Sequence, residues 1–153
     1  MTKLKFIIDK DYDIEMIKEF RVQKSKSAAK KVANKKYQEI NNYLKRTKVL
    51  YQKSWDEINN QFFGLLSKKT NYKPKYKNYY CVVSAFHQGI SNWGGNKVAR
   101  GWRENPYTMR KITAHELIIP HIFNIYEDLK IRDQVNDWQI WQVAEICGWA
   151  LTG

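Results

Sequence analysis

The stretch ITAHELIIPHIFNIYEDL, Ile112 to Leu129, opens with a His-Glu pair and carries a second histidine, His121, after Pro120. It follows RENPYTMRK, where Asn105 is suited to cap a helix and Pro106 falls at the first helical position, at which a missing N–H costs nothing. His115 and Glu116 are therefore expected on a helix. Catalytic zinc is held by about three protein ligands and a water, and a neighbouring carboxylate that takes the water's proton generates the nucleophile. The pattern His-Glu-x-x-His meets this need because residues four apart share one helix face. Here the position four after His115 is Ile119. On a regular helix, at about 100° per residue, His121 lies roughly 120° around from His115. Pro120 removes a backbone donor and crowds the preceding turn. Two geometries follow. A break at Ile119 and Pro120 frees His121 to swing back as second ligand; a continuous helix leaves Ile119 where a ligand belongs.

Further along, NDWQIWQVAEICGWAL predicts a last helix starting near Asn136. In projection Glu145 falls between Trp138, Trp141, Gln142 and Trp149, opposite an aliphatic face of Ile140, Val143, Ala144, Cys147 and Leu151. A carboxylate with apolar neighbours on both sides loses solvation unless it is paired. A metal would satisfy it, and so would a lysine or arginine from the first half of the chain.

Through ITAHEL and QVAEICGWAL, and through the order of its elements, the chain resembles the minigluzincins, small gluzincin-type zinc metallopeptidases with a zincin-like fold. The resemblance implies a hydrolase with His115 as zinc ligand, Glu116 as general base and Glu145 as third protein ligand, with His121 as the second histidine two residues late. It implies zinc as cofactor and a peptide or protein substrate. In such peptidases a strand above the active-site helix pairs with extended substrate through backbone groups. The segment SAFHQGISN, with Ser84, Ala85, Phe86 and His87, is the candidate edge strand, an ordinary hairpin being the alternative. His87 is the remaining imidazole, read as a strand-end or loop residue before a ligand.

Upstream, LKFII reads as a short strand, and Asp13 as N-cap of a helix with Ile14, Ile17 and Phe20 at three-residue spacing that runs on into the lysine-rich segment. From Tyr37 to Leu65 a stripe of Tyr37, Ile40, Leu44, Tyr51, Trp55, Ile58, Phe62 and Leu65 predicts one long helix, or two with a break near Thr47. Residues 68–78, with Pro74 and no apolar period, read as a basic linker. YYCVVSAF reads as a strand, and Gly94-Gly95 as a turn before NKVARGW. The expected fold is α+β in one domain over 1–153: a mainly helical basic part over 1–67, the linker, then over 79–153 a small antiparallel sheet, the His-Glu helix and the glutamate helix.

The 43% hydrophobic and 14% aromatic content suits a packed core and excludes wholesale disorder. Cys81 and Cys147 match no zinc or redox spacing and are expected as free thiols in a reducing compartment. No apolar run approaches the roughly 18 residues of a membrane span or forms a signal peptide, so a cytoplasmic protein without a membrane span is expected. Net charge is +12, and residues 1–80 carry all of the excess. KSKSAAKKVANKK and NNYLKRTKVLYQK place cations outside a helix, interleaved with tyrosines. Such a surface can bind nucleic acid nonspecifically, and the alternative to a peptidase is a basic binding module whose His-Glu pair is structural.

Overall fold

The computed structural model describes residues 1–20, 25–131 and 133–152. Strand β1 (Lys3–Ile7) alternates buried Leu4 and Phe6 with exposed Lys3 and Lys5, so one face of it meets the core. Helix α1 (Lys10–Glu19) is capped by Asp9, whose carboxylate accepts from the Tyr12 N–H at 2.9 Å. The cap expected at Asp13 thus lies four residues earlier. Asp13 is instead fully buried, its carboxylate taken by Tyr37, Ser84 and the Ala85 N–H. Whether α1 runs into the lysine-rich segment turns on residues 21–24, which lie outside the described residues.

Helix α2 (Lys26–Asp56) passes Thr47 unbroken, and the Thr47 hydroxyl donates to the Trp102 carbonyl. The stripe Ala33, Ile40, Leu44, Tyr51 and Trp55 is its buried side. The break comes at Glu57 and Ile58, and α3 (Asn59–Thr70) follows, running three residues into the expected linker before Asn71 ends it in the left-handed region, φ 56°.

Strands β2 (Asn78–Ser84), β3 (Gly89–Ile90) and β4 (Lys97–Gly101) complete a four-stranded sheet of order β1-β2-β4-β3. The β1–β2 and β2–β4 pairs are parallel, and only β3–β4 is antiparallel. The expected antiparallel sheet is therefore corrected to a mixed one. The Gly94-Gly95 turn, with φ of 123° and 75°, speaks only for the β3–β4 hairpin. The chain leaves β1 through three helices and re-enters beside it in the same direction, a pairing that no local turn signal encodes.

One face of the sheet (Leu4, Phe6, Tyr79, Cys81, Val83 and Val98) packs into the main core against α2, α4 (Pro106–Leu129) and α5 (Asp137–Thr152). The other face carries Val82, Ile90 and Ala99 under Tyr12 and Met16 of α1. The architecture is α+β, with five helices around a mixed sheet among the described residues. Among the described residues no helix is long and apolar enough to cross a membrane.

Candidate functional site

Asn105 caps α4 by accepting from the Tyr107 and Thr108 N–H groups, with Pro106 in the first turn, as its sequence predicts. The helix then continues through Pro120 to Leu129 without a break. An interior proline costs a helix about 3 kcal/mol in isolation. Here all residues from Leu117 to Asn124 are buried, so packing on every side of the helix outweighs the lost backbone bond. Of the two geometries open from sequence, the structure has the continuous one.

The consequence for the two histidines is that they serve different neighbours. His121 is 2% exposed, and its Nε2 stands 2.9 Å from the Thr70 hydroxyl at the end of α3. The Thr70 hydroxyl also lies 2.8 Å from the Leu66 carbonyl of the preceding turn, so it ties the imidazole to the last turn of α3. Burial pushes the His121 pKa down to about 4. Ile119, one turn after His115, is buried in the core.

His115 faces α5. Its Nε2 is 3.0 Å from Glu145 Oε2, and its ring lies 5.2 Å from that of Trp149. Gly148, one turn after Glu145, makes room for the imidazole: a Cβ there would fall 2.6 Å from His115 Nδ1. The group that meets the Glu145 carboxylate here is the imidazole of His115, not a lysine or arginine from the first half.

Glu116 lies under β3, close enough to His115 and Glu145 to feel the charge of both. Arg100 Nη1 of β4 is 3.9 Å from its carboxylate, and Ser91 hydrogen-bonds it. Burial holds the Glu116 pKa above the usual carboxylate range, opposed by the Arg100 charge. Arg100 also grips Glu104 with its Nε and Nη2. The turn that presents Glu104 is pinned to α2, because the Tyr51 hydroxyl bonds the Gly101 and Glu104 carbonyls and the Glu104 N–H. Gly89 of β3 lies directly over this cluster: a Cβ would be 2.5 Å from Arg100 Nη1 and 3.1 Å from Glu116 Oε1. A cleft of about 600 Å³ runs alongside, lined among others by His87, Gly89, Arg100, Trp102 and Ile112.

The four residues read as an edge strand lie elsewhere. Ser84 ends the central strand β2, and Ala85, Phe86 and His87 follow it before β3. The edge is β3, Gly89 and Ile90, within the same quoted segment. His87 sits between the rings of Phe20 and Phe86, and its buried Nε2 has no partner among the described residues. Burial lowers its pKa. The two cysteines are free, Cys81 buried and Cys147 half-buried.

A catalytic zinc needs about three protein donors converging on one point. Here His115 and Glu145 converge, but they bond each other; Ile119 supplies no donor, His121 is held by α3, and Glu116 faces an arginine. Among the described residues, no three His, Cys, Asp or Glu side chains are grouped to hold a metal ion. The donor set does not fit a three-ligand zinc centre.

Arg100, Gly89 and Gly148 escaped the reading of the sequence. Gly148 carried a usable signal, standing one helical turn from Glu145 on the side facing α4; Arg100 stands four residues before its partner Glu104, but only the fold brings it beside Glu116. No protein-family model, curated protein or solved structure matches the chain.

Proposed function

We propose that this is a zincin-like protein that binds an extended peptide along β3 and has given up the zinc centre of the peptidases it resembles. The observation that carries peptide binding is the contrast between the two edges of the sheet. At β1, the outward Leu4 N–H and Phe6 N–H donate to the side chains of Asn59 and Gln52, and the Gln52 amide donates to the Leu4 carbonyl. That edge is closed to further strands. At β3, Gly89 and Ile90 pair with β4 on one side, and Gly89, with the loop before it and the end of β4, lines the cleft. A strand with a neighbour on one side only, beginning at a cleft, is where an added strand can pair. The loss of zinc is supported by the mutual bond of His115 and Glu145, with Ile119 in the third position.

Zinc titration of wild type, His121→Ala and Ile119→His tests the metal half. Ile119→His restores the four-residue spacing and is expected to bind zinc about 100-fold more tightly than wild type, about 2.7 kcal/mol, since it adds a donor on the helix face that carries His115. His121→Ala should bind as wild type does. The peptide half is read by hydrogen exchange at Ile90 and Ser91 with a pool of short random peptides: protection is expected in wild type and lost in Gly89→Val. Chelator-sensitive peptide hydrolysis by wild type would overturn the proposal.

A further inference from the structure

The excess charge of the first half is not spread evenly over the folded chain. Exposed Lys31, Lys35, Arg46 and Lys53 lie within roughly 60° of one another around α2, at about 100° per residue, opposite its buried stripe. Among the described residues none of the four has a carboxylate within ion-pair distance; of the α2 cations outside this arc, Lys26 and Lys36 pair with Glu15 and Glu39, while Lys30, Lys45 and Lys48 are unpaired as well. At about 1.5 Å of rise per residue the four form a straight rail about 33 Å long. We infer that this rail is a docking surface for double-stranded nucleic acid, held by its phosphates without reading of sequence.

Charge complementarity names the occupant. The duplex backbone carries one negative charge per about 1.7 Å, so a rigid line of unpaired cations matches it over about one helical turn. The tyrosines decide between duplex and single strand. From sequence they interleave with the cations, but in the fold Tyr37 turns inward to Asp13, Tyr51 is buried, and Tyr43 leans on Trp102 at the flank. The rail therefore presents cations without a row of rings for bases to stack on, and stacking is what single-strand binders depend on. This function is separate from the β3 edge and does not rest on it.

The test is fluorescence anisotropy with a DNA duplex about 20 base pairs long, roughly twice the rail, and the matching single strand. Four phosphate contacts predict a slope of log K against log salt near about −3.6, or about a 100-fold loss between about 50 and 200 mM. The variant Lys31→Gln, Lys35→Gln, Arg46→Gln, Lys53→Gln should abolish that binding with helicity unchanged, because all four side chains are exposed. The control Lys68→Gln, Lys69→Gln, Lys73→Gln, Lys77→Gln removes equal charge from exposed sites outside α2 and should keep most of the affinity. Equal losses in both variants, tighter binding of the single strand, binding to phosphatidylserine vesicles in preference to duplex, or no duplex binding at about 50 mM salt would each overturn the inference.

Discussion

His121 shows how one residue's neighbourhood decides its chemistry. A neutral imidazole buried against Thr70 resists protonation, while the same imidazole in the unfolded chain titrates near 6.5. As pH falls from 6.5 towards about 4 the unfolded state takes up a proton that the native state refuses, so stability is lost through that window and levels off below it. The size expected is about 3 kcal/mol from the difference in pKa. Urea titrations at pH 7, 5.5 and about 4 on wild type and His121→Gln check this: the variant should lack this part of the acid sensitivity. Identical slopes in the two proteins would show that His121 is not held neutral. A histidine read as a ligand for its place in a motif thus belongs to the packing of α3 on α4.

At the scale of elements, α4 and α5 meet where His115 lies against Gly148. A methyl group at 148 would meet the imidazole at its Nδ1, Cε1 and Cγ atoms, and Cγ, fixed close to the backbone, has little room to retreat. Gly148→Ala is expected to destabilise the protein by about 1–3 kcal/mol, the usual penalty of overpacking, and to break the His115–Glu145 bond. In a His115→Ala background the same change should be nearly neutral, because the added Cβ then has space. A double-mutant cycle by denaturant unfolding measures this coupling, and additive effects would place the close contact elsewhere. The start of α4 was legible because Asn105 and Pro106 act within a single turn. Its passage through Pro120 was not, because what outweighs the proline is burial contributed by other elements.

For the whole molecule the corresponding joint is Asp13. Its carboxylate gathers α1, α2 and the end of β2 by accepting from Tyr37, Ser84 and the Ala85 N–H, while burial raises its pKa. Asp13→Ala leaves three buried donors without an acceptor and is expected to destabilise the protein by about 3 kcal/mol or more. Hydrogen exchange should show α1 losing protection first. Uniform loss across the sheet would instead mean that α1 is not a separable unit. The elements themselves were open to reading: β1 from the run LKFII, the helical stretch from Tyr37 to Leu65 from its apolar stripe though not its break at Glu57 and Ile58, β2 from its β-branched and aromatic run, α4 from its cap, and the segregation of charge into the first half. These are encoded by residues within a few positions of each other, so the sequence alone determined them. The parallel register of β1, β2 and β4, the closing of one sheet edge by Asn59 and Gln52, and the pairing of His115 with Glu145 were decided only by the tertiary structure. Each depends on which distant groups share a desolvated space, and that is set by the packing of the whole chain.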